Sequence, residues 1–212
     1  MRLLLVVVII LSGVISASAQ DLQVRVPFHF QIIESEDTKA KERFGLGGWT
    51  VLPDVTPKGN HIATLSVVGL LWQHNKKNWV EFMGGTRTNQ NGFVDPLINI
   101  RFSQNQISRV SFSGDLMGFP RESRRRFLWW LSMETPIRLG KMNFKIGAES
   151  ENINFIGKKD SWGIGPKVSV PIPVKFPGRL KVTIVTAYQF RNDKNFLRVY
   201  TLTTFQSQGV GK

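Results

Sequence analysis

The chain has no cysteine in its 212 residues. That excludes disulfides, thiolate metal sites and covalent haem attachment, and leaves the fold to packing and hydrogen bonds. Its three histidines, His29, His61 and His74, include no pair at metal-ligand spacing, so no zinc site is expected. No apolar run approaches the roughly 20 residues that a membrane-spanning helix needs. The stretch Gly45-Leu46-Gly47-Gly48 lacks the lysine and the serine or threonine of a phosphate-binding loop and reads as a flexible turn. Repeats, low-complexity tracts and linkers are also missing. The expectation is one domain without cofactor or metal.

What the chain has is alternation. In Arg126–Arg138, Phe127, Trp129, Leu131, Met133, Thr135 and Ile137 share one face while Ser132, Glu134 and Arg138 share the other. A period of two gives a strand with one dry and one wet face. Ser161–Val174 and Leu180–Arg191 repeat the pattern, the second with Leu180, Val182, Ile184, Thr186, Tyr188 and Phe190 against Lys181, Thr183, Gln189 and Arg191.

Arg2, the apolar run Leu3–Leu11 and the small residues Ser16-Ala17-Ser18-Ala19 read as a secretory signal peptide cleaved after Ala19 or Gln20, with an uncleaved anchor as the alternative. Residues 1–20 are then the leader and residues 21–212 a single β-barrel domain. Losing Arg2 leaves 27 basic and 15 acidic side chains, a net charge of +12 against +13 for the whole chain. Such a surplus favours anionic partners. Export, and the lack of an aromatic-basic RNA-binding signature, argue against nucleic acid and leave membrane lipids and the phosphates of lipopolysaccharide.

Ten segments read as strands: Gln23–Ile33, His61–Gln73, which is apolar on both faces, Asn78–Arg87, Gly92–Ser103, Ile107–Met117, Arg126–Arg138, Met142–Ser150, Ser161–Val174, Leu180–Arg191 and Phe196–Phe205. Gly45–Pro53 is a doubtful eleventh because of its glycines, and Glu34–Arg43 reads as a charged loop or short exposed helix. The expected fold is all-β, an antiparallel up-and-down transmembrane barrel of about ten strands, with eight to twelve open, since single-chain bacterial barrels have even strand numbers. Pro166, Pro171 and Pro173 predict a bulged, shortened or edge strand in Ser161–Val174.

Periodicity does not say whether the apolar face points into a soluble barrel or out into lipid. Export and strand lengths near the 9–11 residues of a tilted membrane strand favour lipid. So does an opposite face with charges of both signs, which nominates Glu81, Arg101, Arg109, Glu134, Lys145, Glu149 and Lys181 as lumen charges. Trp79, Trp129, Trp162, Tyr188 and Tyr200 are the candidates for an aromatic girdle.

With this pattern, and with a last strand ending Tyr200-Thr201-Leu202-Thr203-Thr204-Phe205, the chain resembles the small bacterial outer-membrane β-barrel proteins. The resemblance implies outer-membrane insertion, reading of a final aromatic by the barrel assembly machinery, and a structural or small-pore role without catalysis. The sequence departs from it by continuing through Gln206–Lys212. A soluble secreted or periplasmic barrel or sandwich binding a lipid-like ligand is the second reading. Some barrels of the resembled class are lipid A-modifying enzymes using His, Ser and an acid. A lipid-modifying hydrolase is therefore a third reading, which requires His29, His61 or His74 to meet a serine and a carboxylate.

The basic turns Lys76-Lys77, Arg121, Arg124, Arg125 and Lys158-Lys159 are candidate lipid-phosphate contacts if they gather at one end. Arg101, Arg109, Lys145 and Lys181 favour anions if the lumen is open. In a narrow barrel, paired side chains can plug it instead.

Overall fold

A computed structural model describes residues 22–33, 42–55, 64–75, 78–88, 94–107, 109–121, 126–140, 142–153, 161–172, 180–192 and 195–208. They form eleven strands: β1 Leu22–Ile33, β2 Arg43–Val55, β3 Thr64–Asn75, β4 Asn78–Thr88, β5 Val94–Ile107, β6 Val110–Phe119, β7 Arg126–Leu139, β8 Met142–Ile153, β9 Ser161–Pro171, β10 Leu180–Arg191 and β11 Phe196–Gln208. Each pairs antiparallel with its chain neighbours, and β1 closes on β11 to complete a barrel. The expected number of about ten becomes eleven because the doubtful glycine-rich segment is β2. An odd number of alternating strands leaves the first and last pointing the same way, so the closing pair is parallel and the barrel is not wholly antiparallel.

The glycines of β2 belong to the packing. A Cβ on Gly47 would strike the Glu81 carboxylate, its Cδ at 2.7 Å, and a Cβ on Gly48 would enter the Phe30 ring at 2.6 Å. β2 therefore passes close to large side chains on both faces, where Gly45-Leu46-Gly47-Gly48 was expected to be a flexible turn and Gly45–Pro53 a doubtful strand.

β9 ends at Pro171 and so is shorter than expected, but it is not an edge: it pairs with both β8 and β10. Its partners on β10 stop at Lys167–Ala187 and resume at Ile164–Phe190 in the same register. The gap falls at Pro166, which has no amide hydrogen to give. Pro173 lies outside the described residues. Ile107 closes β5 rather than opening β6, and Arg109 turns the corner with φ of 70°.

One mouth of the barrel is ringed by the connections β2–β3, β4–β5, β6–β7, β8–β9 and β10–β11. The opposite mouth is ringed by β1–β2, β3–β4, β5–β6, β7–β8 and β9–β10. The apolar face points outward, with Leu70 68% and Trp162 53% exposed among Ile98, Phe82, Leu131, Ile164 and Phe190. The face enclosed by the wall is largely polar, so an apolar face wrapped around a core or a lipid-like ligand is not the arrangement found. One sector of the interior is apolar: Trp49, Val67, Met83, Leu97 and Phe119 pack together inside β2–β6. This explains why β3 carries large apolar residues on both faces.

Candidate functional site: the charged lumen

Strand register places the inward charges in rows. One row runs Glu81, Arg101, Asp115, Trp130, Glu151, Gly163 and Arg191 across β4 to β10, each the direct partner of the next. In such a row, cross-strand neighbours of opposite sign lie close enough to interact.

The largest network joins β8 to β11 across the lumen. Arg198 on β11, 1% exposed, donates to Glu149 at 3.2 Å and to Glu151 at 2.7 Å, with a second guanidinium nitrogen also on Glu151. Glu149 further accepts from Tyr200 at 2.9 Å, Gln189 at 2.9 Å and Trp130 at 3.3 Å. Arg191 completes the group, donating to Glu151 at 3.2 Å and to the Ser161 hydroxyl at 2.8 Å. Two arginines thus meet two carboxylates where water is excluded. Desolvation of a buried ion pair is offset only when its geometry is good and its remaining lone pairs are satisfied.

Glu134 anchors a second network. It pairs with Lys167 at 3.1 Å and Lys145 at 3.3 Å, and accepts a hydrogen bond from Ser169. Lys167 also donates to Ser132 at 2.8 Å and lies over the rings of Trp130 and Tyr200, 5.0 and 5.9 Å from their centroids.

A third network ties β1 to β4 and β2 to β5. Glu81, wholly buried, takes both His29 Nε2 at 2.8 Å and Gln31 Nε2 at 2.9 Å on one oxygen. Trp49 donates to Asn99 at 2.8 Å, and Asn99 reaches Asp115, which faces Arg101 at 3.6 Å. Arg87 and Asp95 pair at 2.6 Å beside the Phe119 ring.

Of the expected lumen charges, Glu81, Arg101, Glu134, Lys145 and Glu149 stand inside. Lys181 faces inward but is exposed at the rim. Arg109 is not a lumen residue: it is exposed in the β5–β6 turn, where the strand alternation used to place it has ended. Alternation marks further lumen charges, since Asp95, Asp115, Glu151, Lys167, Arg191 and Arg198 share the inward parity of their strands.

Among the proposed girdle aromatics, Tyr200 is inside on Glu149, and Trp79 packs within 5.5 Å of the His29 ring. Trp129, Trp162 and Tyr188 keep the outward parity, but of the three Trp162 is exposed while Tyr188 is buried, edge-on to Phe190. Of the basic turns, Arg121 is exposed after β6, while Lys76, Lys77, Arg124, Arg125, Lys158 and Lys159 lie outside the described residues.

Among the described residues, no histidine is brought to both a serine and a carboxylate. His29 is taken by Glu81 in the interior, His74 stands 3.6 Å from Glu42 on the surface, and His61 lies outside the described residues. No group of three or more His, Cys, Asp or Glu among the described residues is arranged to hold a metal ion. The networks link strands three apart, from β1 to β4, β2 to β5 and β8 to β11, so side chains of non-adjacent strands meet inside the barrel.

In comparisons with known proteins, no family model, no curated protein and no solved structure matches this chain.

Proposed function

We propose that the protein is an exported β-barrel of the bacterial outer membrane with a structural, non-catalytic role and a closed lumen. The carrying observation is the inversion of the usual soluble pattern: large apolar side chains point away from the barrel and charged ones point into it. In water that arrangement exposes a large apolar surface, which marks an interaction or membrane site. In hydrocarbon, barrel closure satisfies the backbone and the outward apolar residues meet lipid. Strands of 10 to 14 residues reach the length needed for a tilted crossing.

Side-chain networks linking strands three apart inside the barrel support the structural role over the small pore. Lipid phosphates at the rims and an assembly machinery reading the last strand fit the same reading, with β11 running past Phe205 to Gln208.

The test is expression of the full chain in a Gram-negative host, followed by membrane fractionation, gel mobility with and without heating, and recording in planar bilayers. Recovery in the outer membrane, a heat-dependent mobility shift and no steady conductance are expected. A soluble periplasmic product would overturn the membrane reading, and a stable open conductance would overturn the closed lumen.

A further inference from the structure

The inward cations are not spread evenly. On β7–β10, at the mouth ringed by β7–β8 and β9–β10, they climb a ladder. Lys167 shares a row with Glu134 through Gly147. Lys145 sits one inward position nearer the mouth, in the row of Ser169 and Val185. Arg138, the partner of Asn143, is one position further out, and Lys181, four residues beyond Val185, is one further again. Each step is two residues, roughly 6–7 Å along a strand.

Four cations therefore line one wall at successive depths. On these strands Glu134 pairs with Lys167 and Lys145, while Glu149 and Glu151, deeper on β8, are taken by Arg198 and Arg191. No carboxylate of a described residue lies within ion-pair distance of Arg138 or Lys181. Lys145 is partly open, its side chain 42% exposed, and Arg138 and Lys181 are exposed at the rim, while Lys167 is buried at the foot of the ladder. Toward the other mouth the charges are balanced by comparison, with Arg191 and Arg198 facing Glu149 and Glu151, and Arg87 facing Asp95.

We infer that this mouth is a blind vestibule that binds a small phosphate-type oxyanion between Lys145, Arg138 and Lys181. Like charges on a concave, partly desolvated wall focus the field on the space in front of them. Arginine and lysine donors form the strong, charge-assisted hydrogen bonds that a multivalent oxyanion accepts. The foot of the ladder is stopped by the Glu134 and Glu149 networks, so an anion drawn in is held there and not passed through. The cations face the inside of the wall, which selects a free phosphate or a small phosphate ester over a headgroup anchored in the surrounding lipid. This site needs only the closed barrel and stands or falls separately from membrane insertion.

The test is calorimetric titration of inorganic phosphate into the full chain folded in a zwitterionic detergent, with folding verified by heat-dependent mobility. Saturable binding is expected, weakened at least about tenfold in Lys145→Gln/Lys181→Gln, because two charged donors are lost. Lys158→Gln/Lys159→Gln removes the same charge from the segment between β8 and β9 and is expected to bind as the wild type does. No saturable binding by the wild type, or equal weakening in both double variants, overturns the site. Should the first double variant fail to fold, Lys181→Gln alone, altered at an exposed position, must still weaken binding severalfold; unchanged binding there overturns the assignment. Phosphatidic acid doped into the micelle is expected not to compete, and competition would overturn a free-phosphate site in favour of a lipid headgroup.

Discussion

Replacing Arg198 by methionine removes the cation that two carboxylates share without opening a large hole. Arg198 and Arg191 face Glu149 and Glu151 in an interior that excludes water. After the substitution Glu151 keeps Arg191 at 3.2 Å, and Glu149 keeps the Tyr200, Gln189 and Trp130 donors. Neutral donors then stand where a charge stood. Breaking a buried pair from one side costs about 3–5 kcal/mol, and the surviving donors put the loss at the lower end, about 3 kcal/mol. That is about a hundredfold in the ratio of folded to unfolded protein.

The assay is guanidinium unfolding of the barrel in detergent, followed by tryptophan fluorescence, with the midpoint falling and the slope unchanged. Arg198→Met/Glu149→Gln removes one charge of each sign and is expected to recover at least half of the loss, since a neutralised pair no longer strands a buried ion. A single-variant loss below about 1 kcal/mol, the level of an exposed pair, would refute the reasoning. So would a double variant as unstable as the sum of its two singles, because either result would mean that Arg198 does not compensate these carboxylates.

Gly47→Ala places a methyl group against the Glu81 carboxylate and is expected to cost about 1–3 kcal/mol. Gly84→Ala, with no atom within 4 Å of the added carbon, should stay within about 0.5 kcal/mol in the same unfolding assay. Leu70→Arg puts a charge on the outward belt. In lipid it is expected to cost about 2–4 kcal/mol and to reduce recovery from the outer-membrane fraction, whereas recovery equal to the wild type would count against lipid contact at that position.

The alternation of apolar and polar residues made ten of the strands legible before any coordinates, because a side chain's face depends on little more than its parity. β2 was obscured for the opposite reason. Its function in the wall rests on what Gly47 and Gly48 do not carry, and the Glu81 and Phe30 side chains that use the space are far away in sequence. With β2 in doubt, the parity of the strand number was in doubt too, and the parallel closure could not be foreseen.

The direction of the apolar face also lay beyond periodicity, which is the same for a lipid-facing and a core-facing strand. For the lumen, parity marked Glu149 and Arg198 equally well. The pairing between them depends on β8 and β11 facing each other across a closed barrel, which no local pattern records. Tyr200 shows the limit of reading aromatics by type: a tyrosine in the last strand suggests a girdle, while its parity puts the hydroxyl on Glu149.

The parallel pairing of β1 with β11 has a consequence for how the chain enters and leaves the wall. A barrel made of whole hairpins returns its last strand to the mouth where its first began. Here β1 starts at one mouth and β11 finishes at the other, so the two ends of the described chain depart on opposite sides. In a membrane, polypeptide joined to the front of β1 and polypeptide joined to the back of β11 would emerge into different compartments, and one strand would have to be carried across as a single thread after five hairpins had crossed as loops.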